Sequence, residues 1–378
     1  MSGFISLSRT MAVVTKEFIQ MRRDRLTFAM MIMIPLMQLI LFGYAINSDP
    51  RHMPTAVQIR DDSTFSRSFL LALQNSSYFD FVGQVRSDED VTRALQTGEV
   101  AFVIVVPENF ERDLVRGERP AILVEADATD PSAAGAAVAA IPQLAATSMA
   151  NDLQGTLAGL AQGPPAFDVI VHRHFNPEGL SSFNIVPGLL GIILTLTMVM
   201  FTAVALTREI ERGTMETLLA TPVRAHEVMI GKVLPYVLVG FVQVALILVA
   251  AKLLFSIPFV GPLWLLMAVV TLFIVVNLTV GFMFSTIAKN QLQAMQMTFF
   301  FLLPSIMLSG FMFPFAGMPG WAQAIGTGLP ATHFMRLVRA IMLKGAGPAE
   351  VWGFVWPLLV ILVVVASLAM ARYRRTLD

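Results

Sequence analysis

Five histidines, the adjacent serines at 181–182 and one Gly-Lys step are the residues of this 378-residue chain whose types and spacing could do chemistry. His172 and His174 stand two apart in a β-rich run, so both project from one face of a strand and offer a weak pair of ligands for a borderline divalent metal. A solvated strand end explains the spacing more simply, and no metal site is expected; His52, His226 and His333 are isolated. Ser181-Ser182 has no acid and base at a spacing that would make a nucleophile. Gly231-Lys232 comes nearest to a phosphate-cradling loop, which needs Gly, four residues, Gly-Lys and then Ser or Thr, so that backbone amides and the lysine surround the phosphates. Here His226 stands at the first glycine position and Val233 follows the lysine. No catalytic residue is expected, and no cofactor bound by the chain itself. The absence of Cys excludes disulfides and thiolate metal ligands.

The elements around these residues are those of a membrane protein. The chain is 56% hydrophobic and only 14% charged, too apolar for a soluble protein of this length. A bilayer core needs about 20 mainly apolar residues per helix. Six such stretches occur, at 26–46, 185–206, 233–255, 263–287, 294–313 and 351–371. The first lacks a small-residue cleavage site and is too long for a signal peptide, so it is expected to stay as an anchor. Arg9, Lys16, Arg22, Arg23, Arg25, Arg208, Arg212, Arg224, Lys232, Lys289, Arg372, Arg374 and Arg375 fall on one side of these spans, which the positive-inside bias makes cytoplasmic. Segment 47–184 carries 18 acidic residues against nine Arg and no Lys, and belongs outside. Both termini are then cytoplasmic. A formal net charge of zero gives no reason to expect a nucleic-acid partner.

The expected architecture is an α-helical membrane protein of six spans with an α/β domain inserted after the first. Residues 1–25 carry an apolar stripe, Phe4, Leu7, Met11, Val14, Phe18 and Met21, at steps of three and four. Such a helix can lie in the headgroup layer or pack on the protein's own core. In 47–184, strands are expected at 55–60, 79–85, 100–106, 121–125 and 167–174, with helices at 63–73, 88–96 and 109–115, giving a mixed sheet. A longer helix is expected over 131–160, with Pro142 as the point where it could break. Residues 185–378 hold spans two to six. Within them 314–347 is apolar but interrupted by Pro314, Pro319, Gly320, Pro330 and Gly345. It reads as a re-entrant or interfacial hairpin at the outer surface, its second helix capped by Thr332 and stopped by Gly345. Phe334 shares an apolar face of that helix with Leu337, Val338 and Ile341, while His333, Arg336 and Arg339 look elsewhere, since cations among lipids are costly.

The most informative segment is the loop 207–230 between the second and third spans. It opens on Arg208, Glu209, Glu211 and Arg212, and Gly213 can relax the backbone there. Thr214 can cap a short helix bearing Met215, Glu216, Leu218 and Leu219, and Thr221-Pro222 ends it. Glu227 and Gly231-Lys232 follow. A short helix with one apolar edge and a charged rim beneath the bilayer suits a cleft on a cytoplasmic partner. The same charges would arise in a loop that merely obeys the inside-positive bias, and composition does not separate the two.

At this loop the sequence resembles the type-2 ABC-transporter permeases of the drug and lipid exporter kind. The matching pattern is Glu211, Arg212, Gly213, Thr214, Met215, Glu216, Leu218, Leu219, Thr221, Pro222, Glu227, Gly231 and Lys232, with Thr217 standing where Gln is common. A second match is Leu329-Pro330-Ala331-Thr332-His333-Phe334, followed by Arg339 and Leu343-Lys344-Gly345. The resemblance covers nearly the whole chain. It implies an ABC exporter permease for a hydrophobic or amphipathic substrate, paired with a second permease chain as homodimer or heterodimer. It also implies a separate ATPase subunit that carries ATP and Mg2+ and docks on 208–227 beside the N-terminal elbow helix. The expected site is a bacterial inner membrane, with membrane lipids and a periplasmic adaptor as further partners. Polar residues inside spans, Gln38, Gln243 and Asn277, would most often bond a neighbouring helix; they are also the candidates for lining a path. An ion-gradient-driven transporter would place ionisable groups near the midplane, where this chain has almost none. A membrane-anchored binding or scaffold protein would not need six spans.

Overall fold

The computed structural model describes residues 51–150, 152–154, 157–161, 165–211 and 225–375. The expected elbow helix at 1–25 and the first span at 26–46, with Gln38, lie outside the described residues, as does the loop 212–224.

Residues 53–174 form the α/β unit. Strands β1 (Met53–Ile59), β2 (Phe79–Gln84), β3 (Phe102–Val106), β4 (Ala121–Asp127) and β5 (Asp168–His174) make one sheet of order β2-β1-β3-β4-β5. β1 runs parallel to β2 and β3, β3 and β4 are antiparallel, and β4 and β5 are parallel. Helix α1 (Thr64–Asn75) connects β1 to β2, α2 (Asp88–Thr97) connects β2 to β3, and α3 (Phe110–Val115) connects β3 to β4. Both α1 and α2 start on reciprocal capping boxes, Ser63 with Ser66 and Ser87 with Asp90, which satisfy amide donors the helix leaves open. The Ser87 hydroxyl and backbone amide hold the Asp90 carboxyl below the usual range. α2 stops at Gly98, whose φ of 73° is the left-handed conformation that glycine adopts without a Cβ penalty.

One sheet face is sealed by edge-to-face rings, Phe69 and Phe110 each against Phe167 and Phe79 against Phe102, all fully buried. Helix α4 (Pro131–Ser148) covers this face, and a short helix α5 (Ala158–Ala161) follows. The helix continues through Pro142, and it ends at Ser148 rather than 160. Ala134, Ala137, Ile141 and Ala145 recur at helical spacing and are buried. That packed stripe holds the helix through a proline that removes one internal hydrogen bond.

The rest is helical. α6 (Ser181–Glu211), α7 (Ala225–Phe255), α8 (Leu263–Ser285), α9 (Gln291–Leu308) and α12 (Pro348–Arg375) each contain a window long and apolar enough to span a bilayer. Five such helices occur among the described residues. α6 and α8 form the centre of the bundle, whereas α7 and α12 bury little of their apolar windows. Between α9 and α12 come a 3-10 turn at Phe315–Gly317, α10 (Gly320–Thr327) and α11 (Pro330–Met342). α9 runs from Gln291 to Leu308 rather than over 294–313, because the Asn290 side chain caps its start and the chain turns at Gly310, whose φ is 81°.

Candidate functional site: the far end of α6 and the hairpin

α6 has 31 residues, about 46 Å of helix, against a bilayer core of about 30 Å. Its last turns therefore project beyond the apolar zone and carry Arg208, Glu209 and Glu211. The Glu211 carboxylate accepts from the Gln291 side chain at 3.0 Å and from the Gln291 backbone N–H at 3.2 Å, and Arg208 Nε donates to Gln291 Oε1 at 3.3 Å. A negative charge thus meets the amino end of α9, where helix donors are unpaired and the dipole favours an anion. Asn290 Oδ1 accepts from Gln293 N at 2.9 Å, and Gln293 Oε1 accepts from Lys289 N at 2.8 Å. All three α6–Gln291 bonds are exposed, so each is worth little in stability. Gln291→Ala should lower stability by less than about 1 kcal/mol, read as a melting temperature within about 3 °C of wild type.

Glu227 and Lys232 sit in the first turns of α7. The expected loop 207–230 is therefore helical at both flanks. Its inner motif, Arg212, Gly213, Thr214, Met215, Glu216, Leu218, Leu219, Thr221 and Pro222, lies outside the described residues.

At the other end, the expected re-entrant hairpin forms two helices, α10 and α11. α11 packs against α6, α8 and α12 and is buried on nearly every side. Pro330 takes the first helical position after Leu329, so Thr332 is not the cap; its hydroxyl instead donates to Gly326 O at 2.6 Å. His333 Nε2 donates to Thr327 O at 2.8 Å, which fixes the Nε2–H tautomer. Arg339 donates to Gly310 O at 3.0 Å, and the Arg336 guanidinium lies 4.5 Å from the Phe315 ring centre and 5.6 Å from that of Phe354. Carbonyls and ring faces thus receive His333, Arg336 and Arg339 on the side of α11 away from Phe334 and Leu337.

Phe334 stacks on Phe273 of α8 with centroids 3.9 Å apart and planes 8° apart. On its other side lies Gly191 of α6, where an added Cβ would stand 2.9 Å from the Phe334 ring. The ring fills a slot made by one missing side chain. Phe334→Ala should cost about 3 kcal/mol, measurable as a lower midpoint of thermal or denaturant unfolding in detergent. Gly345, with φ of 69°, ends the segment after α11.

Lys344 joins the hairpin to the α/β unit. Its ammonium lies 2.5 Å from Asp127 Oδ2 and donates to Leu95 O at 2.9 Å, with the Phe175 ring centre 5.4 Å away. Both side chains of the pair are largely buried, at 7% and 15% exposure. A second link runs from Asn184 Nδ2 at the start of α6 to Asp130 Oδ1, 2.9 Å. Between the unit and the hairpin lies a cleft of about 480 Å³, lined by Asp127, Phe315, Arg336, Arg339 and Lys344 among others.

Of the candidates for lining a path, Asn277 is fully buried and donates to Phe273 O of its own helix at 2.9 Å. Gln243 of α7 lies 2.9 Å from the Thr197 hydroxyl of α6, a bond between neighbouring helices. A cavity of about 480 Å³ opens elsewhere, between α7 and α8, walled by Val244, Leu248, Ile257, Phe259 and Met267 with Lys252 at its rim.

One constellation escaped the sequence. Glu125 of β4 stands opposite His172 of β5 in the parallel register, and its carboxylate meets both His172 and His174. The spacing of the histidines put them on one strand face; nothing in the sequence said which strand would lie beside them.

Comparison with known proteins agrees with this architecture. The family described as "ABC-2 family transporter protein" matches residues 25–371. The chain is 30% identical over 379 residues to the probable multidrug ABC transporter permease YbhS of Escherichia coli K12, covering 99% of each protein. It is 27% identical to the probable multidrug ABC transporter permease YbhR of the same organism, covering 97% of this chain and 98% of that one. With the E. coli inner membrane transport permease YhhJ it shares 32% identity over 297 residues, 76% of this chain and 77% of its relative. The chain belongs to the ABC-2 transporter family, as a multi-pass membrane permease subunit of an ABC exporter that carries no ATPase site of its own.

Proposed function

We propose that this permease pairs with a second permease chain and exports a hydrophobic or amphipathic compound, drug or lipid-like, powered by ATP and Mg2+ held on a separate ATPase subunit. The multidrug designation of its E. coli relatives supports that cargo class. In this reading the chain has six spans with both termini in the cytoplasm of a bacterial inner membrane, and the α/β unit lies outside. The acidic balance of 47–184 and the basic flanks of the spans support that sidedness.

The observation that carries the coupling role is the continuity of α6. It runs unbroken from Ser181, beside the α/β unit, to Glu211, the residue before the 212–224 motif, and there holds the start of α9 through Gln291. A push on that motif by closing ATPases would move α6 and α9 together, because a helix transmits displacement along its axis and the two ends are tied. Co-reconstitution with the ATPase tests this: Arg212→Ala or Glu216→Ala should abolish permease-dependent stimulation of ATP hydrolysis while the complex still assembles. Unchanged stimulation would remove the motif from the coupling path. The α/β unit is assigned the docking of a periplasmic adaptor, and adaptor capture that survived deletion of this unit would sink that assignment.

A further inference from the structure

We propose that Glu125, His172 and His174 form a three-ligand site for a borderline divalent transition-metal ion of the Zn2+ class, on the face of the sheet turned away from its phenylalanine core. β4 and β5 are parallel neighbours with Glu125 opposite His172, and His174 is two residues further along the same face. His172 Nδ1 lies 2.8 Å and His174 Nε2 lies 2.5 Å from one oxygen, Glu125 Oε2, and the two rings are 4.4 Å apart. All three ligand atoms fall within 4.8 Å of one another.

The donor set selects the ion. Two imidazole nitrogens and one carboxylate oxygen, with no sulfur and no carbonyl cage, suit Zn2+, Cu2+, Ni2+ or Co2+ and are too nitrogen-rich for Mg2+ or Ca2+. Bonds of about 2.0–2.1 Å at tetrahedral angles place ligand atoms about 3.3 Å apart. The two nitrogen–oxygen separations need to open by less than 1 Å, which rotation of the side chains supplies without moving either strand. In the metal-free form both rings point an N–H at the same oxygen. On binding, the nitrogen that faced Glu125 must offer its lone pair to the ion, so its proton leaves that nitrogen and the ring carries its N–H on the opposite one. Glu125 is largely buried, at 13% exposure, whereas the His172 side chain is 59% exposed. The ion would have one ligand, Glu125, on the inner strand β4, two on the edge strand β5, and an open position for water or a group from another molecule.

The site has mechanical reach. Two residues beyond Glu125 is Asp127, the partner of Lys344, and the chain leaving His174 reaches α6 within seven residues. An ion bridging β4 and β5 therefore clamps the two strands that carry the links to the helical bundle. It should raise the melting temperature of the whole chain, since binding to the folded state alone stabilises it.

The test uses the full chain, purified in detergent with a tag free of histidine. Calorimetric titration with Zn2+ should give one equivalent bound, and titration with Co2+ should give the visible absorption of a four- or five-coordinate ion. His172→Ala and Glu125→Gln should each weaken Zn2+ binding at least about tenfold, since even loss of an outer-shell partner costs that much. Both should also abolish the zinc-dependent rise in melting temperature, and His52→Ala and His226→Ala should change neither. Because His172 is exposed, its variant keeps the metal-free melting temperature, which separates lost ligation from lost folding. No saturable binding in the wild type, or full affinity in the His172→Ala/His174→Ala double variant, would overturn the site.

Discussion

Lys344→Met should destabilise the protein by about 3 kcal/mol, the lower end of what breaking a buried ion pair costs. The substitution keeps the length of the side chain but leaves Asp127 largely buried and Leu95 O without its donor. Asp127 would retain the Thr129 amide at 3.1 Å and hydroxyl at 2.8 Å, which is why the lower end applies. The loss should appear as a lower melting temperature in detergent and as faster proteolysis between the α/β unit and the bundle, because the pair joins the two. Replacing both partners, Lys344→Met with Asp127→Leu, should recover most of the stability, since no charge is left without a counter-charge. A double-mutant cycle measures the difference. A Lys344→Met protein as stable as wild type would mean that water, not Asp127, satisfies the ammonium.

Gly281→Leu should yield no folded protein, and Gly281→Ala should lose about 1–3 kcal/mol. Gly281 of α8 faces α6 at the centre of the bundle. An added Cβ would stand 2.5 Å from Val199 O, 2.9 Å from Thr202 Cβ and 3.1 Å from Val199 Cα. Two of these are backbone atoms of a helix and cannot swing aside, so the helices must separate along their contact, forfeiting the close approach that holds apolar helices together where the lipid is equally apolar. Gly240 of α7 is the control. Its added Cβ would meet Ile274 Cδ1 at 2.7 Å, the far end of a side chain that can change rotamer. Gly240→Ala should therefore cost under about 1 kcal/mol in the same unfolding measurement. Equal losses at the two glycines would contradict the close α6–α8 contact.

Much of the fold was written locally. The Ser-x-x-Asp signal at 87–90 starts α2, and β1 to β5 fall within two residues of the strands expected from β-rich runs. The apolar stretches that became α6, α7, α8, α9 and α12 follow from composition alone. Packing decided what local rules left open. Pro142 continues α4 because its buried alanines and isoleucine supply what the missing hydrogen bond does not. His333, Arg336 and Arg339 turn inward because the Thr327 and Gly310 carbonyls and two rings receive them.

By itself, then, the sequence determined that this chain lives in a membrane, that it has no phosphate-binding loop, and that a densely charged loop separates two of its apolar stretches at 207–230. Those properties depend on residue type and short spacing, which the chain carries wherever it folds. Only the tertiary structure decided that α6 grips α9 through Gln291, that Lys344 reaches Asp127 across 217 positions, and that Glu125 joins two histidines, the farther of them 49 positions away. The reason is physical: such meetings are set by strand register, helix rotation and the depth of a neighbouring glycine, none of which leaves a periodic mark in the sequence.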